Sequence, residues 1–130
     1  MKKGGVINAE LGARLARLRH TDMFCISDSG LPVPPDVPCI DLAFTYGIPR
    51  FEEVLRVVLA EVVVEHGWIA SEIAAANADC EHLLDELLPR LERISHEELK
   101  QLVGKTAFVV RTGEAKPYAN VVLRAGVAFA

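Results

Sequence analysis

The chain has 130 residues, of which 51% are hydrophobic, and carries 14 lysines and arginines against 18 aspartates and glutamates, for a formal charge of −4. That length suits one domain spanning residues 1–130, with enough apolar content for a core without disulfides or metals. An acidic balance with no basic block argues against a nucleic acid or an anionic membrane surface as partner, since phosphate binding needs clustered Lys and Arg.

The lone basic pair at the start, Lys2-Lys3, is not followed at once by an apolar run, so no secretory signal is expected. Every longer apolar stretch is interrupted by Glu, Arg or His, so no membrane span is expected. Cys25, Cys39 and Cys80 make an odd count with no CxxC pair. This argues against a zinc site or a disulfide framework and suits a cytoplasmic location.

In chain order, residues 8–19 read as a helix capped by Asn8, with Glu10 in the first turn and Leu11, Leu15 and Leu18 on one face. Residues 23–27 read as a short buried strand that runs into Asp28-Ser29-Gly30. Cys25 within it reads as a small buried hydrophobe. Pro32, Pro34, Pro35 and Pro38 keep residues 30–38 a stiff loop. Residues 39–44 form a second strand candidate. Past Gly47-Ile48-Pro49, an amphipathic helix over 50–61 is built on Phe51, Val54, Leu55, Val58 and Leu59. Residues 62–70 read as a buried β-branched strand and 79–90 as a helix ended by Pro89. Ser95 to Glu98 forms a capping box for a helix through about Val103. Strands over 106–111 and 120–129 flank a turn at 113–117. Alternating strands and helices predict an α/β fold: three layers, with helices on both faces of a largely parallel sheet.

Few residues carry chemical promise on their own. His20 falls at the predicted end of the first helix, where the dipole favours an imidazolium and hence a proton donor; on the residues alone a helix cap is the preferred reading. Asp28 follows a strand, where α/β proteins gather ligands, and could hold sugar hydroxyls or fix a histidine; it equally suits an Asx turn. Asp22 reads as helping to end the helix. His96 stands in a first helical turn, whose partial positive charge favours a neutral ring able to bond a hydroxyl; taken alone, an exposed helix start is the preferred reading. Tyr118-Ala119-Asn120 offers a ring for stacking and an amide that both donates and accepts; a turn with a half-buried tyrosine is the alternative. His66 and His82 read as structural or surface residues. There is no HExxH, GxSxG or phosphate loop.

Several separated segments then resemble one family in order. They are residues 2–8 (KKGGVIN), His20-Thr21-Asp22, residues 28–34 (DSGLPVP), Gly47-Ile48-Pro49, Ser95-His96-Glu97, and the run from Arg111 through Tyr118-Ala119-Asn120. The chain is similar over its length to the D-ribose pyranases of the RbsD/FucU sugar mutarotase family, and to the ribose branch by its Gly-Leu-Pro-Val-Pro loop. The resemblance implies a cytoplasmic enzyme that interconverts the pyranose and furanose forms of D-ribose. It implies His20 as proton donor and Asp28, His96, Tyr118, Ala119 and Asn120 as substrate contacts, with neither metal nor cofactor. It also implies a ring-shaped homo-oligomer, commonly a decamer of two stacked pentamers. The departures are Ser29, where the ribose branch usually has Ala, and Tyr46, an aromatic before Gly47. An L-fucose-type mutarotase and a non-catalytic sugar-binding accessory protein are the alternatives.

Overall fold

The computed structural model describes residues 1–129. Helix α1 (Ala9–Ala16) begins where Asn8 accepts the Leu11 N–H at 2.9 Å. It stops short of the predicted end because the Arg17 and Leu18 N–H groups turn to carbonyls three residues back, tightening the last turn. Strands β1 (Met23–Ser27) and β2 (Cys39–Asp41) follow, then α2 (Phe51–Leu59) and β3 (Val64–Ala70). Next come the short α3 (Ile73–Ala76), α4 (Ala78–Leu87), β4 (Leu91–Ile94) and α5 (His96–Val103). Strands β5 (Val109–Arg111) and β6 (Val121–Ala125) close the order.

The six strands form one sheet in the order β2-β5-β1-β6-β3-β4. β2, β5 and β1 are mutually parallel, as are β3 and β4, while β6 runs antiparallel to both β1 and β3. One strand therefore opposes the other five, and the expectation of a largely parallel sheet holds. The layers are unequal. One face packs against α1, α2, α3 and α4 through Leu11, Phe51, Leu55, Ile73 and Leu84, over Phe24, Ile26, Phe108, Val121 and Leu123. The other face carries only α5, whose Leu99 and Val103 cover Cys25, Ala70, Val109 and Val122. The Cys25 thiol is fully buried, and desolvation drives its pKa far up, which keeps it a neutral apolar group.

Two elements escape the sequence reading. β4 has no apolar alternation, because Glu92 and Arg93 are both exposed on this edge strand. α3 is a single turn, the buried Ile73 and three alanines, before Asn77, which caps α4 by accepting the Cys80 N–H. Ser95 does cap α5, as expected, by accepting the Glu98 N–H at 3.1 Å. No helix among the described residues is long and apolar enough to cross a membrane.

Candidate functional site

Parallel β1 and β5 deliver their following loops to the same end of the sheet. There Asp28 leaves β1 and immediately closes an Asx turn: its Oδ1 accepts from the N–H groups of Gly30 and Leu31 at 3.0 and 2.9 Å. The same side chain reaches across the sheet through Oδ2, which accepts from Asn120 Nδ2 at 3.1 Å. Asn120 Oδ1 in return accepts the Asp28 N–H at 2.8 Å. The turn and the pairing with Asn120 are thus combined in one residue. Asn120 is 1% exposed, so its amide has its orientation fixed by this two-way pairing.

Tyr118 precedes it at φ 58°, a left-handed conformation that a bulky residue adopts only when its surroundings enforce it. The Asn120 N–H donating to the Tyr118 carbonyl at 2.9 Å and Asn77 Nδ2 donating to the Pro117 carbonyl at 3.0 Å hold that turn. The Tyr118 ring meets the edge of His96, with centroids 5.1 Å apart and planes at 86°. His96 is held at the start of α5 by its own N–H, which donates to the Glu72 carboxylate at 3.0 Å. Glu72 titrates below the usual carboxylate range, through its own backbone N–H first and that of His96 second, against an opposing desolvation. His96 Nδ1 is buried with no hydrogen-bond partner among the described residues, a polar atom free for a ligand hydroxyl.

The loop that carries Tyr118 is anchored by a residue the sequence reading did not single out. Glu114 is buried, and its Oε1 accepts the Phe51 N–H at 3.2 Å, the first of α2. Its Oε2 accepts from Ala115 and Lys116, at 3.1 and 3.2 Å. A carboxylate thereby satisfies a helix terminus and shapes the loop together. Nothing in the spacing marks Glu114; only its place in the Arg-Thr-Gly-Glu run does. Gly113 beside it admits no side chain, since a Cβ would run into the carbonyl oxygens of Ile48 and Thr45.

Asp28, Gly30, Leu31, Pro32, His96, Lys116, Tyr118 and Asn120 together line a cleft of about 290 Å³. That is near the lower limit for small-molecule sites, roughly 300 Å³. Ala119 is buried behind it and lines an adjoining hollow between α2 and α4. In that hollow Arg56 is paired with Glu52 and His82 with Glu86. The hollow's Cys80 thiol is pushed up to about 12 by burial, and Cys39 is also raised, mainly by desolvation. Neither is a ready thiolate at neutral pH. The described residues contain no cluster of His, Cys, Asp and Glu suited to a metal.

His20 is elsewhere. The helix ends before it, so it caps nothing; it stands in the turn that Asp22 closes by accepting the Arg19 N–H at 2.9 Å. It is 54% exposed and bonded to Glu65 of β3 at 3.1 Å. His20 precedes the first residue of β1 and Asp28 follows the last. Five strand residues separate them, which at about 3.3 Å per residue is roughly 16 Å or more. Within one chain the cleft residues are brought together and His20 is not. Around His20 lie Leu18, Val63, Val127 and Phe129, an apolar collar that is largely exposed.

This is an α/β protein with a small cleft at the carboxyl ends of its parallel strands, lined by hydrogen-bonding side chains, the Tyr118 ring and the apolar Leu31 and Pro32. The chain belongs to the RbsD / FucU transport protein family, whose model matches residues 1–128. It is 50% identical over 129 residues to D-ribose pyranase 1 of Rubrobacter xylanophilus, covering 99% of this chain and 100% of that one. Its fold matches that of Bacillus subtilis RbsD complexed with D-ribose at a TM-score of 0.95 and 44% identity, covering 99% of this chain and 100% of that one. The fucose mutarotase of Streptococcus pneumoniae, solved with L-fucose, shares the fold at a TM-score of 0.76 and 18% identity over 95% of each chain.

Proposed function

We propose that this protein is a cytoplasmic D-ribose pyranase, an isomerase that opens D-ribopyranose and recloses it as the furanose. The observation that carries this reading is the near-complete backbone agreement with a protein solved around D-ribose, joined to the full-length identity with a D-ribose pyranase. The mechanism follows from the groups present. His20 donates a proton to the ring oxygen as the C1–O bond breaks, and the anomeric hydroxyl releases its proton to solvent, leaving an aldehyde and a free hydroxyl. In closure the 4-hydroxyl attacks C1, its proton passes to the imidazole of His20, and the carbonyl oxygen takes a proton from solvent. Asp28, His96, Tyr118 and Asn120 bind hydroxyls and keep the open chain curled, with Ala119 shaping the backbone against the sugar. Oriented binding of this kind and general acid–base catalysis supply the acceleration.

The distance between His20 and the cleft supports a site shared by two subunits: the cleft of one and the His20 of its neighbour. Contact between two different surfaces of identical chains propagates head to tail and forms a ring where the rotation closes, in keeping with the pentamers implied by the resemblance, two of which would stack as a decamer. Exposed apolar groups at both places favour such contacts: Phe44, Tyr46 and Ile48 on the loop beside Gly113, and Val63, Val127 and Phe129 beside His20. The expected result is complementation. His20→Ala and Asn120→Ala chains, each inactive alone, are unfolded, mixed in equal amounts and refolded together. About a quarter of the sites then combine an intact cleft with an intact His20, and ribose exchange returns to that extent. Hybrid oligomers that form and stay inactive would place His20 and the cleft of one site on the same chain, or remove His20 from the reaction.

A further inference from the structure

Strand β3 carries a defect at one position, and that position faces His20. Its pairing with β6 joins Val64 to Ala125 and His66 to Arg124, so Glu65 is the extra residue of a bulge. A bulge re-aims the side chain it carries, and such distortions concentrate beside functional sites. Gly126 opposite leaves room for the bend: a Cβ there would press on Val63 and sit 3.5 Å from that of Glu65. The re-aimed carboxylate meets two partners. Oε2 bonds His20 Nε2 at 3.1 Å, and Oε1 accepts from Arg124 Nε at 2.7 Å. Arg124 is fixed in turn, its guanidinium 5.6 Å from the centroid of the Trp68 ring. The Glu65 carboxyl accordingly titrates below its usual range, with the His20 hydrogen bond the largest cause and Arg124 next among those that lower it. It is ionised at neutral pH.

We infer that Glu65, pinned by Arg124, is the positioning residue for His20, and that the proton delivered to the sugar sits on His20 Nδ1. The inference rests on the reading of His20 as proton donor. The carboxylate occupies Nε2, so the ring cannot rotate without breaking that bond, and Nδ1 makes no polar contact among the described residues. Once Nδ1 has given up its proton, the neutral ring is held as the Nε2–H tautomer. Nδ1 is then bare and ready to take back a proton from the closing hydroxyl, so one nitrogen serves both directions. The charged groups facing this ring are Arg19 of its own turn, Glu61 after α2, Glu65 of β3 and Arg124 of β6.

The test has two parts, both on the full-length protein. In 15N NMR of the wild type at alkaline pH, His20 is expected as the Nε2–H tautomer; a dominant Nδ1–H form would overturn the inference. In kinetics, Glu65→Gln is expected to lower kcat by about 10- to 100-fold, as the loss of a carboxylate behind a working histidine does. KM changes little, while the pH–rate profile departs from that of the wild type. Glu65→Asp recovers part of kcat and of the profile. A folded Glu65→Gln enzyme with wild-type kcat and profile would overturn the inference while leaving the ribose reading intact. Failure of that reading registers separately, as full exchange activity in His20→Ala.

Discussion

Replacing His20 with alanine is expected to abolish most of the acceleration of ribose ring exchange, lowering kcat by about 100- to 10,000-fold, the range general acid–base catalysis contributes. The fold survives the change. His20 is more than half exposed, lies in a turn that Asp22 closes without it, and makes one side-chain bond, to Glu65. Circular dichroism and thermal midpoint should therefore match the wild type while exchange rates collapse. Loss of activity accompanied by loss of structure would instead make His20 a structural residue. Unchanged activity would remove it from the mechanism.

The second large effect is expected at Asn120, where Asn120→Asp sets one carboxylate against another. The two side chains are 3.1 Å apart and Asn120 is almost fully buried. The amide nitrogen that donated to Asp28 Oδ2 becomes an oxygen, so these two facing oxygens are left without a donor and like charges meet in a poorly hydrated place. Losing such a bond and stranding its partner costs about 1–3 kcal/mol, more for charged groups. Both stability and sugar affinity fall, and KM rises by about 100-fold if some 3 kcal/mol of binding is lost. The defect is pH-dependent in a defined direction. At neutral and alkaline pH both carboxylates repel. As pH falls, one of the pair takes up a proton and can donate again, which restores part of the contact. Thermal midpoints and sugar titrations of Asn120→Asp and Asn120→Ala at two pH values check this. A penalty independent of pH in the aspartate variant would show that charge is not its source.

The sequence makes the fold largely legible, for physical reasons that can be named. β1 announces itself as an apolar run ended by Asp-Ser-Gly, and α2 by its spacing of Phe51, Val54, Leu55 and Val58, all buried. Ser95 caps α5 because Glu98 stands three residues on. β4 gives no such signal, since an edge strand with exposed Glu92 and Arg93 has no face to advertise. The strand β6 is shorter than its apolar run of 120–129, because β3 and β1 pair with it only over Val121–Ala125.

The candidate site divides in the same way. Asp28 and Asn120 are visible as polar residues at strand ends, and the chain's resemblance joins them; their mutual pairing needs the sheet order, which brings positions 92 apart together. The groups that hold the site are invisible by spacing. Glu114, Glu72 and Glu65 reach their targets from 63, 24 and 45 residues away, and nothing local distinguishes them from solvated acids. His20 was expected at a helix end and stands instead beyond it, its ring bonded to Glu65 rather than set against a helix dipole. That exchange of one anionic neighbour for another could not be read from residues 8–19.

The most direct measurement is exchange NMR of D-ribose at neutral pH, with and without catalytic amounts of the protein. Faster pyranose–furanose interconversion, proportional to protein concentration and lost in His20→Ala, is the predicted result. Exchange at the uncatalysed rate, with protein that is folded and binds ribose, would contradict the account and leave a sugar-binding protein in place of an enzyme.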